Sequence, residues 1–230
     1  MISGQQRTLL ACISHLFSIH RYPMKLYNAN FSPNCLRVRA VIFELDADVE
    51  IVEVDVFGGG TKAAEYLAIN PNGKVPAFVD GGLKLFESRA INAYLAGLDP
   101  SWRLYPQDLK KRAVVDQWSY WQAIHFGPSS QKLTFEKVFK EKFGRGKPDD
   151  NVIAAEAKET TKLLGVFDQG LSGHDWIAGD LSVADFALGT TLTQRKAAGI
   201  DLEPFANVAA WIDRLESRES WQKAVAPMRG

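Results

Sequence analysis

The stretch from Asn70 to Ser88 limits the fold more than any other part of the chain. It reads Asn-Pro-Asn-Gly-Lys-Val-Pro-Ala-Phe-Val-Asp-Gly-Gly-Leu-Lys-Leu-Phe-Glu-Ser. Turn residues come first, and two short apolar runs, Ala77–Val79 and Leu83–Phe86, follow on either side of Asp80-Gly81-Gly82. Asp-Gly and Gly-Gly between apolar runs mark a tight hairpin. Val75 is held extended by the proline after it, which keeps its backbone N–H and C=O out of a helix and available to pair. A proline just ahead of a strand is also a common place for a cis bond. Glu87-Ser88 opens a helical pattern, so Ser88 stands where a helix start leaves N–H groups unpaired. An extended backbone edge beside such a helix start suits a small peptide ligand. Taken alone, the stretch is equally an ordinary loop, hairpin and helix.

The remaining composition places few demands on the architecture. The chain has 230 residues, 46% hydrophobic and 23% charged, which suits a folded chain of one large or two small domains. The formal net charge of zero gives no electrostatic case for nucleic acid or an anionic membrane. No apolar run approaches the length needed to span a bilayer. Cys12 and Cys35 have neither the number nor the spacing of a disulfide framework or a zinc site, so no metal is expected and a reducing cytoplasm is the default. Residues 1–23 hold an apolar run interrupted by His15 and His20, with no small-residue cleavage site. We read them as an N-terminal extension, with the folded part starting at Met24; a targeting role is the alternative.

From Met24 the order of elements is β-α-β-α-β-β-α. Lys25–Tyr27 is strand-like. Ser32-Pro33 is a helix entry, a hydroxyl residue followed by proline at the first helical position. The helix it opens is mostly apolar through Leu45, with Arg37, Arg39 and Glu44 expected on its wetter side. Val49–Val56 is a β-branched strand, and Lys62–Ile69 a short helix. Two strands joined through a helix are most simply parallel, and the hairpin adds two antiparallel strands. The result is a mixed four-stranded sheet with helices packed on it, the layout of thioredoxin-like α/β domains. That N-terminal domain is expected over residues 24–97.

Residues 98–106 form a linker, and 107–230 an all-helical C-terminal domain. One helix is expected over 108–126, ended by Gly127-Pro128. Others are expected over 131–143, from an Asn151 cap to about Asp168, and from Ser182 through Leu188, Leu192 and Ala198. Ala206–Leu215 and a last turn near Trp221 close the chain. Ser182 with Asp185 three residues on is a helix-capping signature.

Two residues near the first helix start could act on a ligand. Ser32 either caps the helix or donates its hydroxyl to an anion placed at the helix N-terminus. A hydroxyl and a helix dipole both favour a thiolate over a thiol. Cys35 is the competing nucleophile, though a lone cysteine is often simply buried. No Cys-x-x-Cys motif is present, which disfavours a disulfide oxidoreductase. No Gly-x-Ser-x-Gly surrounds Ser32, which disfavours a serine hydrolase.

These features together resemble the cytosolic glutathione transferases. The resemblance runs from Met24 to the C-terminus. It rests on Met-Lys-Leu-Tyr leading to Ser32, on Asn70–Pro76, on Glu87-Ser88 and on Ser182–Asp185, in that order and spacing. A serine at this point is similar to the serine-type theta and phi classes. Tyr27 stands too early in its strand to match the tyrosine of other classes. Cys35 does not align with the cysteine of the cysteine-type classes.

The resemblance implies glutathione as co-substrate, with Ser32 as the catalytic residue that stabilises its thiolate. It further implies that the Val75 backbone pairs with the cysteinyl unit and that Ser88 holds the γ-glutamyl carboxylate. Glu87 would hold the ammonium, and Lys62 and Lys74 would lie near the glycine carboxylate. The partner would be a small apolar electrophile, and the assembly a homodimer. Candidate lining for the electrophile includes Phe31, aromatic residues near Trp118–Trp121, and Phe126, although such residues more often form core. The alternatives are a non-catalytic glutathione-binding or protein-interaction module of the same fold, or a glutathione-dependent isomerase or peroxidase. The Ser-Ser-Cys signature of the zeta-like isomerases is absent here.

Overall fold

A computed structural model describes residues 23–228. The extension expected over residues 1–23 lies, apart from Pro23, outside them. By packing, the chain forms two compact units. Among the described residues, one takes those up to Ala29 with Asp48–Phe86, the other Asn30–Ala47 with those from Glu87 to Met228.

The first unit is a four-stranded sheet. β1 (Met24–Asn28) pairs in parallel with β2 (Val49–Glu53), with Leu26 opposite Ile51. On its other edge β1 pairs antiparallel with β3 (Ala77–Asp80), with Leu26 opposite Phe78, and β3 continues antiparallel into β4 (Leu83–Phe86). The strand order is β2-β1-β3-β4, and the sheet is mixed as expected. Gly81, at φ 55, makes the two-residue turn of the hairpin. Leu26, Ala77 and Phe78 are fully buried. β2 stops at Glu53 rather than Val56, and Asn28 closes its end: the Asn28 side-chain amide donates to Glu53 Oε2 at 2.6 Å. The helix expected over 62–69 is a tight turn at Gly60–Lys62 followed by one turn, α2 (Ala64–Leu67).

The second unit is helical. α1 (Pro33–Leu45) contacts α3 (Ser88–Leu98), α7 (Val183–Thr191) and α10 (Glu219–Val225). With neighbours on several sides, α1 has no wet face from Cys35 to Ile42. Arg37 and Arg39, expected toward water, are each 1% exposed. Arg39 is satisfied by carbonyl oxygens, its Nε and Nη2 donating to Ala224 O at 3.2 and 3.0 Å and Nη2 to Asn30 O at 3.3 Å. Long stems that pack as hydrocarbon and a head that finds acceptors let arginine be buried where periodicity alone assigns it outward.

The helices beyond the linker also depart from expectation. α4 (Leu109–Trp121) does not end at Gly127-Pro128. It runs through a π-helical turn at Gln122–Phe126 directly into α5 (Gly127–Thr134), and a second π turn follows at Phe135–Phe139. A proline inside a regular helix lacks its N–H and clashes with the preceding turn; widening that turn accommodates it. Gly127 is required here, since a Cβ would lie 2.7 Å from Gln122 O. α6 (Asp150–Gly170) is capped by Asp149, whose carboxylate accepts the N–H groups of Asn151 and Val152, and not by Asn151. The helix expected through Ala198 breaks after Thr191, leaving a single turn, α8 (Arg195–Ala198), before α9 (Ala206–Glu216).

α7 is buried along its whole length, and its start is the polar anchor of this core. Asp185 is fully buried and accepts from Ser182 N at 2.9 Å, Ser182 Oγ at 3.1 Å, Ile177 N at 3.0 Å and Trp211 Nε1 at 2.9 Å. Burial raises its pKa, and these four donors pull the other way. Removing the carboxylate strands all four donors in the interior. Asp185→Ala is therefore expected to cost about 3–5 kcal/mol, read as a lowered midpoint in urea denaturation.

Candidate functional site

The residues singled out in the sequence fall in both units. In the sheet unit they gather on the turn before β3. The Val75–Pro76 bond is cis, as its position suggested. Val75 is half-buried, and Lys62 and Lys74 are exposed. The backbone leading to Val75 is held by two side chains that the sequence reading did not select. Tyr66 Oη and Asn70 Nδ2 both donate to Lys74 O, at 2.7 and 2.6 Å. Asn70 Oδ1 in turn accepts from Asn72 N at 3.0 Å and Asn72 Nδ2 at 3.1 Å. Asn-Pro-Asn-Gly is a legible signal for such an Asx turn; Tyr66 carries no comparable signal. Gly73 sits at φ 58, and a Cβ there would lie 2.7 Å from Lys62 Nζ. The bare glycine thus lets the Lys62 ammonium lie against the turn that presents Lys74 and Val75.

In the helical unit they lie at two helix starts. Ser32 caps α1 from extended backbone (φ −79, ψ 122), its Oγ accepting Cys35 N–H at 3.3 Å. It is 7% exposed, and among the described residues nothing accepts its own O–H. Capping and donation are therefore compatible: one lone pair serves the helix and the proton stays uncommitted. Cys35 is wholly buried inside the first turn, which leaves Ser32 the better placed of the two candidates.

Ser88 begins α3 and is buried, its Oγ accepting from Arg37 Nη1 at 2.6 Å. Glu87, just before it, has φ 71 and ψ 104, an unusual backbone for a residue with a side chain. Its exposed carboxylate has no hydrogen-bond or ion-pair partner among the described residues. Strain of this kind persists where the surroundings impose it, and it recurs at ligand clamps.

Behind these two residues runs a buried polar network that no sequence pattern announced. Arg89 Nε donates to Ser119 O at 3.1 Å and its Nη2 to Gln122 Oε1; Gln122 Nε2 donates to Thr191 Oγ1 at 2.6 Å. Gln122 is the first residue of the π turn, so the same widening that admits Pro128 places this amide in the interior. Burial lowers the pKa of both Arg37 and Arg89; their mutual repulsion adds to this for Arg37, and Glu87 opposes it for both. Of the candidate lining, Trp118 and Phe126 belong to the core. They join Trp121, Phe167 and Trp211 in a chain of ring contacts 4.8–6.4 Å apart. Phe31 is half exposed.

Comparison with known proteins gives the family. The sequence model of the glutathione S-transferase N-terminal domain matches residues 22–97, and that of the C-terminal domain matches residues 130–219. A glutathione S-transferase of Hyoscyamus muticus is 35% identical over 209 residues, covering 88% of this chain and 97% of that one. Glutathione S-transferase 3 of Zea mays is 36% identical over 212 residues, covering 89% and 94%. The solved structure of maize glutathione S-transferase I in complex with an atrazine glutathione conjugate superposes with a TM-score of 0.83 at 33% identity, covering 90% of this chain and 99% of that one. The chain belongs to the glutathione S-transferase family. Its architecture is accordingly a thioredoxin-like α/β N-terminal domain followed by an all-helical C-terminal domain.

The Glu87 backbone yields a direct test. Glycine adopts positive φ without steric cost. Glu87→Gly is expected to raise stability by about 1 kcal/mol and Glu87→Ala to leave it nearly unchanged, both measured as urea midpoints.

Proposed function

We infer that this protein is a glutathione transferase of the serine type, which stabilises the thiolate of glutathione and adds it to a small apolar electrophile. The observation that carries the reading is Ser32. Its hydroxyl stands at the start of α1, already satisfied as an acceptor, with its proton uncommitted among the described residues. A free thiol has a pKa of about 8.5, so only a small fraction is nucleophilic at neutral pH. A hydrogen bond from Ser32 to the sulfur, with the N–H groups of the first helical turn nearby, favours the anion. Lowering the pKa by about two units needs about 2.7 kcal/mol, within reach of one charge-assisted bond and a helix start. The thiol proton leaves to solvent. The thiolate then forms the C–S bond, displacing a leaving group such as halide or adding to an activated double bond.

Each remaining residue takes one part of the tripeptide in this reading. Glu87 holds the γ-glutamyl ammonium and Ser88 its carboxylate, the latter at the N-terminus of an eleven-residue helix that favours anions. The Val75 backbone pairs with the cysteinyl unit, and Lys62 and Lys74 face the glycine carboxylate. The burial of Cys35 supports Ser32 as the group acting on sulfur. The domain limits proposed are 24–97 and 107–230, joined by 98–106. Among the described residues no helix is long and apolar enough to cross a membrane, and a cytoplasmic setting is proposed from the cysteine usage. A two-fold homodimer is proposed as the usual state of the family the sequence resembles. Large side chains left exposed at the end of α4 and in the π turn after it, Tyr120 at 62% and Ile124 at 64%, are in keeping with such an interface.

Ser32→Ala is expected to lower conjugation of a generic chlorinated aromatic about 100-fold at neutral pH while glutathione affinity changes only a few-fold. The thiolate absorbance of bound glutathione, followed against pH, should shift its midpoint up by about two units. A midpoint that stays low in the variant, or loss of activity from Cys35→Ala instead, contradicts the assignment. Sedimentation should give twice the 25.5 kDa chain mass; a 25.5 kDa species contradicts the dimer.

A further inference from the structure

Arg37 is buried, 1% exposed, yet among the described residues none of its acceptors is a carboxylate. Nη1 donates to Asn34 Oδ1 at 3.0 Å and to Ser88 Oγ at 2.6 Å, and Nη2 donates to Thr190 Oγ1 at 3.1 Å. Thr190 Oγ1 passes its own proton to Ala187 O at 2.9 Å, which leaves it an acceptor toward the guanidinium. Nε has no partner. Asn92, one turn beyond Ser88 on α3, donates to Arg37 O at 3.2 Å, and its buried Oδ1 likewise has no hydrogen-bond partner among the described residues. A buried cation held only by neutral oxygens is costly unless an anion completes it.

The hydrogen-bond direction adds a second constraint. A guanidinium only donates, and a serine hydroxyl has one proton to give. With Arg37 occupying a lone pair of Ser88 Oγ, and no described residue accepting the Ser88 proton, that hydroxyl faces its ligand as a donor. Donation into the oxygen also polarises the O–H and strengthens it toward an acceptor. An ionised carboxylate accepts and does not donate.

We propose that Arg37 is a positioning residue for glutathione: it locks the Ser88 hydroxyl as a donor and sets a buried positive charge, hydrogen-bonded to neutral oxygens alone among the described residues, behind it, selecting the γ-glutamyl carboxylate. This rests on the reading of Ser88 as the contact to that carboxylate. Arg37 touches Ser88 and not the tripeptide. Its effect is therefore on affinity for one functional group and not on the chemistry at sulfur. Arg89, one residue past Ser88, is engaged with Ser119 and Gln122 and does not duplicate the contact.

The test compares glutathione with 4-aminobutyryl-cysteinyl-glycine, which keeps the ammonium and lacks only the γ-glutamyl α-carboxylate. Binding of each peptide to the full chain is measured by calorimetry. Arg37→Gln is expected to weaken glutathione at least about tenfold, the usual scale for a hydrogen bond to a charged group, and the analogue less than about twofold. The kcat at saturating glutathione should change less than about twofold, so the loss appears in KM for glutathione alone. In a Ser88→Ala background, Arg37→Gln should have little further effect. Equal losses for both peptides, or full additivity with Ser88→Ala, overturn the proposal. If Arg37→Gln fails to fold by near-ultraviolet circular dichroism, Arg37→Lys carries the same comparison, since it keeps the charge and loses the fork. A several-fold loss confined to glutathione supports the proposal, and a uniform loss or no loss overturns it. Ser88→Ala alone separates the two readings. If it leaves glutathione affinity intact, the Ser88 assignment fails. If it weakens glutathione while Arg37→Gln does not, only the Arg37 inference fails.

Discussion

Two guanidiniums buried on one helix organise the helical unit. α1 is enclosed by α3, α7 and α10, and Arg37 and Arg39 are polar ties among them, with Glu44 bonded to Ser220 at the far end. Arg37 reaches Ser88 at the start of α3 and Thr190 near the end of α7; Arg39 reaches Ala224 on α10. A buried donor left unmet costs more than a satisfied one contributes, so each tie constrains geometry more than it adds stability. Ser32 begins this same helix. The orientation of the Ser32 hydroxyl is thereby set by a helix whose position is fixed at three neighbours.

Much of this was legible because it rests on local chemistry. Ser32-Pro33 announced a helix start, Asp80-Gly81-Gly82 a hairpin, and Ser182 with Asp185 a cap, each through a steric or hydrogen-bonding rule confined to a few residues. All three stand where those rules place them. The parallel first pair and the antiparallel hairpin followed from the same signals, while the placing of β3 against β1 came from the fold.

What stayed hidden depends on neighbours distant in sequence. Arg37 and Arg39 looked solvent-facing because periodicity knows one helix at a time, whereas their acceptors lie up to 185 residues away. Gly127-Pro128 looked like a stop because the rule for proline assumes a regular helix, and a π turn evades it. Gln122 then enters the interior by way of that turn. In the sheet unit, Asn70 was half legible as a turn residue, but its grip on Lys74 O required the fold. The supporting layer of the candidate site is thus the part the sequence concealed, while the residues it supports stood out.

The bond from Arg39 to Ala224 O links the last helix to the helix that Ser32 caps. Chain ends are commonly treated as dispensable, and tags or truncations are placed there freely. Here a cut before Ala224 would remove an acceptor of a fully enclosed cation and unsettle the ground on which Ser32 stands. The last few residues of the described chain are, in that sense, part of the apparatus that aims the serine.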